Sequence, residues 1–362
     1  MLIVLISSKT DCLKNYNFKK NPKKEFIKEL KKCHEFDMTN HPNYILNQIH
    51  RWCKIKNIEI KHYDELKKNE KFDLILSFDV VDHKIFLSCD RIKKYLVLQE
   101  YKAIKPHIYK FENHKKFNKI FTFDDKLLNY DKYVKYSGLQ VIPKKYKIYS
   151  NNKKKFACIS FANKPNINKL SYFELRKKIL NFFLDNPGFH LYGSGWDKKS
   201  TVPFGFNNIF SKIFIKLFYF VKNSFYNKNK KYFKIWKGYS SNIIKTYSNY
   251  KFVFCIENSP VLSSRIFHAF YSGAIPIYYG LTDINKKIPK NCFVNLREFN
   301  DLGLLKHYLK SIEKKEYKNF LINIRKFLKS KKYLQYTADN DVTIITQEIN
   351  KELCWIYKSK TL

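Results

Sequence analysis

Short apolar runs alternate with longer, charged stretches along most of the chain. The first series consists of LIVLI at 2–6, FDLILSF at 72–78, KYLVLQE at 94–100 and NKIFTFDD at 118–125. The second series consists of FACISFA at 156–162, FHLYGSG at 189–195, KFVFCIEN at 251–258, AIPIYYG at 274–280 and CFVNL at 292–296. This alternation is typical of parallel strands connected by helices.

The two series predict an α/β protein with two Rossmann-like domains facing each other across a cleft. A length of 362 residues also favours two domains. A basic polar stretch at 144–155 separates the series, so the predicted domains are 1–150 and 151–340, followed by a C-terminal helix at 341–362. In such sheets ligands bind beyond the carboxyl ends of the strands, and the loops there are where the chemistry is expected.

The segment 204–236 does not fit the alternation. Its apolar and aromatic residues recur at helical intervals and are interrupted by Lys212, Lys216 and Lys222. An apolar face with lysines favours a helix that lies in a membrane interface. A helical hairpin packed on the core of the second domain explains the same pattern, and both interpretations stay open.

The composition points to a folded chain with anionic partners. Hydrophobic residues make up 44%, which argues against disorder, and 70 Lys and Arg against 31 Asp and Glu give a net charge of +39. The excess is spread over the whole chain together with abundant Asn, Ile, Phe and Tyr, so genome composition explains it equally well. Neither a concentrated basic stripe nor a nucleic-acid-binding module is recognisable, and no nucleic-acid partner is predicted.

The cysteines and the amino terminus favour a reducing compartment. The eight cysteines include no C-x-x-C pair, so neither a structural zinc nor a disulfide framework is expected. The apolar run after Met1 is too short for a signal sequence and is interpreted as the first buried strand. No uncharged run reaches the roughly 20 residues that span a bilayer.

The richest candidate chemistry lies at 250–280. A predicted strand ends at Glu257 and Asn258, and a helix is predicted to begin near Ser263. Ser263 and Ser264 are suited to cap that helix. Arg265 in its first turn opposes the helix dipole unless an anion lies there, and a nucleotide diphosphate would supply that anion.

Motifs in this region carry a resemblance to a known family. The run E-N-S, a helix, G-A-I-P-I-Y-Y-G and then I-P-K-N-C-F-V-N-L-R-E-F resembles the donor-binding block of the family 10 fucosyltransferases. Residues 166–196, with Tyr172, Arg176 and LYGSGW, resemble the segment that opens the donor domain, and 101–133 resembles an acceptor-domain segment. The resemblance implies a GT-B-like fold and an inverting, metal-independent transfer of fucose from GDP-fucose in α1,3 linkage, with no cofactor.

The sequence departs from the family pattern where the donor is expected to bind. An aromatic residue followed by Thr-Glu-Lys is replaced by Val261, Leu262, Ser263, Ser264 and Arg265, and His268 stands where Asp is frequent. Arg265 can still bind a diphosphate, but Ser264 cannot replace a carboxylate that holds the ribose. A transferase that uses another nucleotide sugar, or a catalytically inactive relative, therefore remains an alternative.

The resemblance also suggests roles for individual residues. Glu100, at a predicted strand end, matches the proposed general base, and a surface Glu before a loop is its ordinary interpretation. Arg176 matches a second cation on the diphosphate, with Lys169 as the fallback, although Arg176 also fits an exposed helix position. Glu257 and Asn258 are candidates to hydrogen-bond the ribose or the sugar, or else to cap a turn.

Two further motifs are interpreted without catalytic chemistry. Asp124 and Asp125 lack the Asp-x-Asp spacing of metal-dependent transferases, and Asp124 is expected to be a helix N-cap. Gly193 and Gly195 lack the third glycine of a dinucleotide fingerprint, so Gly193 is assigned to a turn near the donor pocket.

The predicted partners are a nucleotide-sugar donor and an oligosaccharide or lipid-linked glycan acceptor, such as lipopolysaccharide or another surface glycan. Basic residues and the 204–236 segment would place the protein in the cytoplasm, peripheral to the anionic cytoplasmic face of the inner membrane.

Overall fold

The computed structural model describes residues 1–7, 42–88, 92–139, 141, 155–163, 171–196 and 230–360. The chain divides into two compact units. The first comprises Met1–His34, Met38–Pro143 and Lys331–Leu362, and the second comprises Glu35–Asp37 and Lys144–Ser330. Lys169, residues 144–154 of the basic stretch and residues 204–229 of the aromatic segment lie outside the described residues.

The first unit contains a six-stranded parallel sheet in the order β2-β1-β3-β4-β5-β6. Its strands are β1 Leu2–Ser7, β2 Glu59–His62, β3 Leu74–Phe78, β4 Lys93–Val97, β5 Lys119–Thr122 and β6 Tyr133–Lys135. Its helices are α1 Pro42–Ile55, α2 Ile85–Ser88 and α3 Phe111–His114, with 3-10 turns at Tyr63–Glu65, Pro106–Tyr109 and Asp125–Leu127.

Apolar side chains cover both faces of this first sheet. Ile3 and Leu5 of β1 belong to one cluster of buried residues, and Val4 and Ile6 belong to another. Because successive side chains of a strand point to opposite faces, β1 is apolar throughout. The chain's last helix also packs on the first of these clusters.

The second unit contains a five-stranded parallel sheet in the order β11-β10-β9-β7-β8. Its strands are β7 Lys155–Ser160, β8 Phe189–Tyr192, β9 Tyr250–Ile256, β10 Ile275–Tyr279 and β11 Val294–Asn295. Its helices are α4 Phe173–Phe182, α5 Ile243–Tyr247, α6 Arg265–Ser272, α7 Ile284–Lys287, α8 Leu302–Ser311 and α9 Lys314–Leu328, with 3-10 turns at Lys230–Lys234, Lys290–Cys292 and Leu296–Glu298.

The chain ends in two helices of the first unit, α10 Lys331–Leu334 and α11 Ala338–Lys360. Ile345, Ile349 and Leu353 of α11 are buried in the same cluster as Ile45 and Ile49 of α1. The predicted C-terminal helix is therefore present, and it contributes to the core beneath the first sheet. Among the described residues, no helix is both long enough and apolar enough to cross a bilayer.

The predicted α/β class, with two Rossmann-like parallel sheets, is confirmed. Each apolar run predicted as a strand contains one. Two strands were not predicted, β2 and β6, because each is short and lies at an edge of the first sheet. Their sequences, EIKH and YVK, are too polar to form an apolar run.

The described end of the 204–236 segment packs on the second unit. Tyr232 and Ile235 are buried in the core, and the Tyr232 hydroxyl donates to Asn181 Oδ1 over 2.8 Å. Tyr232 and Ile235 therefore lie against the protein, whereas Phe233 between them is exposed.

Candidate active site

The second sheet has a topological switch point between β7 and β9. These strands are neighbours, but the chain leaves β7 towards β8 on one side and leaves β9 towards β10 on the other. The connections that begin at their carboxyl ends therefore diverge and leave a crevice at the edge of the sheet. This is the place where open α/β sheets bind ligands.

Arg176 of α4 reaches the end of β9. Its Nε and Nη2 donate to the carbonyl oxygen of Ile256 over 3.1 and 2.5 Å, and Ile256 is the last residue of that strand. The Arg176 side chain is buried, and its Cζ lies 5.2 Å from the centroid of the Phe161 ring. Burial, and then the neighbouring charge of Arg265, lower the pKa of Arg176 to about 9. The guanidinium therefore remains charged at neutral pH. Because Arg176 is buried, the alternative interpretation of this residue as an exposed helix cation is wrong.

Arg265, the first residue of α6, reaches the end of β7. Its Nη1 donates to the carbonyl oxygen of Ser160 over 2.6 Å, and Ser160 is the last residue of β7. Each arginine therefore comes from a helix that follows one strand and binds the end of the other. The two hydrogen-bonding patterns fix both cations at the switch point.

Glu257 lies beside the arginine pair and is fully buried. Its Oε1 accepts the Ser263 backbone N–H over 2.9 Å, and its Oε2 accepts the Ser263 hydroxyl over 2.6 Å. Arg265 Nε lies 3.8 Å from Oε2. Burial raises the pKa of Glu257, and the charge of Arg265 and the hydrogen bonds from Ser263 oppose this rise. The side chain thus anchors the loop before α6 and is engaged with protein groups.

The predicted cap of α6 differs in detail from the structure. Ser264 occupies the N-cap position, but its side chain makes no capping hydrogen bond. Ser263 Oγ instead accepts the Arg265 backbone N–H over 3.2 Å. The anion that accompanies Arg265 in this structure is the Glu257 carboxylate.

Two further donor-site candidates have evident structural roles. Asn258 is exposed, and its backbone carbonyl accepts the Tyr172 N–H over 3.0 Å. Gly193 has φ 135°, and a Cβ there would lie 2.0 Å from the carbonyl oxygen of Phe161. Close approach of the backbone to Phe161 therefore requires glycine at this position.

Glu100 belongs to the first unit, in the loop that follows β4. It is half-buried, and its carbonyl oxygen accepts the Tyr109 hydroxyl over 2.9 Å. Its backbone N–H donates to Asp79 Oδ1 over 3.2 Å. Asp79, which follows β3, was not among the predicted residues. The rule that directed attention to Glu100, a polar residue after an apolar run, applies equally to Asp79.

Arg297 was also missed in the sequence. Its Cζ lies 3.9 Å from the centroid of the Tyr279 ring, at the end of β10. Its Nη2 donates to the Gly280 carbonyl over 3.0 Å and to the Tyr172 hydroxyl over 3.3 Å. The N-L-R-E-F motif contained this residue, but only the fold brings it next to Tyr172.

The predicted cap at Asp124 is confirmed. Asp124 Oδ1 accepts the Lys126 backbone N–H over 3.1 Å at the start of the 3-10 turn Asp125–Leu127. The helix expected to follow is only this one turn.

Comparison with known proteins identifies relatives of part of the chain. Residues 212–359 match the family model of the glycosyltransferase family 10 (fucosyltransferase) C-terminal domain. The chain is 31% identical over 103 residues to the mouse 4-galactosyl-N-acetylglucosaminide 3-alpha-L-fucosyltransferase 9, a match that covers 25% of this chain and 29% of that protein. It is 32% identical over 68 residues to an Arabidopsis thaliana alpha-(1,4)-fucosyltransferase, covering 18% of this chain and 17% of that protein. The matched region thus spans less than a third of the length of these curated relatives.

A solved structure shares the fold over nearly the whole chain. The crystal structure of an alpha1,3-fucosyltransferase aligns with a TM-score of 0.50 at 15% identity, covering 96% of this chain and 89% of that chain. At this identity the likeness concerns the fold, which is of the GT-B class with two Rossmann-like sheets. Residues 212–359 therefore resemble the C-terminal domain of glycosyltransferase family 10, the fucosyltransferase family.

Proposed function

We propose that this protein is an inverting fucosyltransferase that transfers fucose from GDP-fucose, in α1,3 linkage, to a saccharide acceptor. The observation that carries the proposal is the arginine pair at the switch point of the second sheet. Arg176 and Arg265 are both fixed by strand-end carbonyls, and the neighbouring Glu257 places a single negative charge beside these two positive charges. This local excess of positive charge suits the diphosphate of a nucleotide sugar.

The proposed reaction uses the two cations and a carboxylate base. The acceptor hydroxyl oxygen forms a bond to the anomeric carbon while the bond from that carbon to the diphosphate oxygen breaks. The bonding electrons leave with the diphosphate of GDP. Arg265 and Arg176 stabilise the negative charge that develops on this leaving group. Glu100 accepts the hydroxyl proton. Fixed guanidinium groups would provide the charge stabilisation that Mg²⁺ provides in other transferases.

Two residues that depart from the family sequence, Ser263 and Arg265, have defined contacts at the site. Ser263 ties the loop to Glu257, and Arg265 replaces a lysine with a planar group that can bind one carbonyl and still present a second edge. Because the half-buried Arg265 begins α6, a diphosphate at this edge would also meet the helix N-terminus. The same replacement favours, as the alternative, a transferase with another nucleotide sugar or a catalytically inactive relative.

Calorimetric titration with GDP, UDP, CMP, dTDP and GDP-fucose tests the proposal. We expect GDP and GDP-fucose to bind, and Arg265→Ala to weaken this binding by about 1.5–3 kcal/mol, the usual cost of losing a charge-assisted hydrogen bond. Arg325→Ala removes one exposed arginine from α9 of the same unit and serves as the control for net charge.

The outcomes separate the alternatives. Binding of UDP alone would indicate a transferase that uses a nucleotide sugar other than GDP-fucose. Binding of GDP without transfer to any saccharide would indicate an inactive relative. The absence of nucleotide binding would overturn the proposal.

We further propose a surface glycan acceptor, such as lipopolysaccharide or another lipid-linked saccharide, and attachment to the cytoplasmic face of the inner membrane. The net charge of +39 and the lysine-interrupted aromatic segment at 204–236 support this part of the proposal. The name of the mouse relative specifies a galactosyl-N-acetylglucosamine acceptor, which makes that disaccharide the first acceptor to test.

A further inference from the structure

The backbone of Glu100 is held on both sides by side chains. Asp79 Oδ1 accepts the backbone N–H groups of Gln99 and Glu100 over 2.7 and 3.2 Å. The Tyr109 hydroxyl donates to the Glu100 carbonyl oxygen over 2.9 Å. The peptide groups that precede and follow Glu100 therefore both have side-chain partners.

Asp79 is built into the edge of the sheet. It follows β3 directly, and its own N–H donates to the Val97 carbonyl over 3.1 Å, which continues the hydrogen bonding between β3 and β4. Its φ of 55° is in the left-handed region, which Asp and Asn adopt more readily than other residues with a Cβ. In this backbone conformation, the Asp79 side chain accepts hydrogen bonds from the loop that follows β4.

The Asp79 side chain is only 1% exposed, and burial of a carboxylate is costly unless hydrogen bonds and charges compensate. Oδ1 takes the two backbone N–H groups, and Lys105 Nζ lies 3.6 Å from Oδ2. The two hydrogen bonds and this ion pair compensate part of the cost. A neutral residue would fill the same space without that cost, so the negative charge calls for an explanation.

Tyr109 keeps its proton and therefore remains a donor. Burial raises the pKa of Tyr109 well above its usual value, and the charges of Asp79, Asp124 and Glu100 add to the rise. The hydroxyl can then donate to the Glu100 carbonyl at neutral pH.

We propose that Asp79 is a positioning residue for Glu100, which fixes the backbone from which the catalytic carboxylate projects, with Tyr109 as the second anchor. This inference rests on the proposed function of Glu100 as general base. A catalytic group displaced by about 1 Å loses on the order of 100-fold in rate, so a fixed backbone has a direct kinetic consequence.

The test compares two aspartate variants of the full chain. Asp79→Asn keeps the size and the tolerance of positive φ, but it removes the charge that strengthens the hydrogen bonds from the Gln99 and Glu100 N–H groups and that pairs with Lys105. Asp73→Asn is the matched control, because Asp73 Oδ2 also accepts a backbone N–H, that of Leu2 over 2.8 Å, at the opposite end of β3. Steady-state kinetics are measured with GDP-fucose and a 4-galactosyl-N-acetylglucosamine acceptor, and GDP affinity is measured by calorimetry.

We expect Asp79→Asn to lower kcat by roughly 10- to 100-fold while KM for the donor and GDP affinity stay within about twofold. Asp73→Asn should leave all three quantities within about twofold. In a Glu100→Gln background, Asp79→Asn should cause no further loss of residual kcat, because its effect acts through Glu100. Equal kinetics of the two single variants, or an undiminished loss in the Glu100→Gln background, would overturn the inference.

A second variant covers the case in which Asp79→Asn does not fold. Tyr109→Phe removes only the hydroxyl that holds the Glu100 carbonyl, and it should also lower kcat without changing GDP affinity. Unchanged kcat in Tyr109→Phe would then count against the inference. Failure of the proposed function itself looks different, because Glu100→Gln would retain full kcat or the unmodified protein would bind no GDP.

Discussion

At the residue scale, the candidate donor site depends on how three buried or half-buried charges compensate one another. The charge of Arg265 helps burial to lower the pKa of Arg176, and the Glu257 carboxylate lies 3.8 Å from Arg265 Nε. Burying these groups costs free energy that only close pairing and hydrogen bonding offset. The hydrogen bonds to Ile256, Ser160 and Ser263 provide that offset. Because two positive charges lie beside one negative charge, the site keeps an excess of positive charge.

Glu257→Gln therefore should destabilise the second unit. The amide of Gln has one acceptor oxygen, so it can replace only one of the two acceptor atoms that hold Ser263, and leaving a buried polar group unsatisfied typically costs about 1–3 kcal/mol. Urea unfolding measures the free energy, and Glu313→Gln, which neutralises an exposed glutamate at the start of α9, is the control. If the two variants unfold alike, Glu257 does not stabilise the loop before α6.

At the scale of elements, the apolar runs were sufficient to predict the parallel strands, because strands covered on both faces must be apolar at nearly every position. The edge strands β2 and β6 lacked that pattern and were missed. Arg265 was predicted as a site residue from the strand-loop-helix pattern. It could not be predicted that Arg176 binds the end of β9 and that Arg265 binds the end of β7. The strand order that makes these two ends adjacent is not visible in a local sequence pattern.

The turn after β8 gives a prediction at this scale. Gly193→Ala places a Cβ 2.0 Å from the Phe161 carbonyl oxygen, whereas Gly238→Ala meets no atom within 4 Å. Both residues have positive φ, so both variants carry backbone strain of about 1–3 kcal/mol, and only Gly193→Ala adds the overlap. Thermal unfolding should show a larger loss for Gly193→Ala. A normally stable Gly193→Ala that fails to bind GDP would instead support a direct role in donor binding.

At the scale of the whole molecule, the net charge of +39 is a property of the entire chain rather than of the candidate site. Such a charge attracts any anionic surface, and this attraction weakens with salt. A dedicated membrane contact differs from this general effect, because it depends on particular lysines and on the apolar side chains between them. In the 204–236 segment, Lys212, Lys216 and Lys222 interrupt an apolar pattern of helical spacing.

Two triple variants distinguish a dedicated contact from general charge. Replacing Lys212, Lys216 and Lys222 by Gln should weaken binding to vesicles that contain phosphatidylglycerol by about 3 kcal/mol, since each lysine near an anionic surface contributes about 1 kcal/mol. Replacing the exposed Lys314, Lys315 and Lys318 of α9 by Gln removes the same charge elsewhere and should weaken binding much less. Co-sedimentation at low and high salt measures both. Equal losses would assign the attraction to net charge alone, and the absence of binding at low salt would remove the proposed attachment to the membrane.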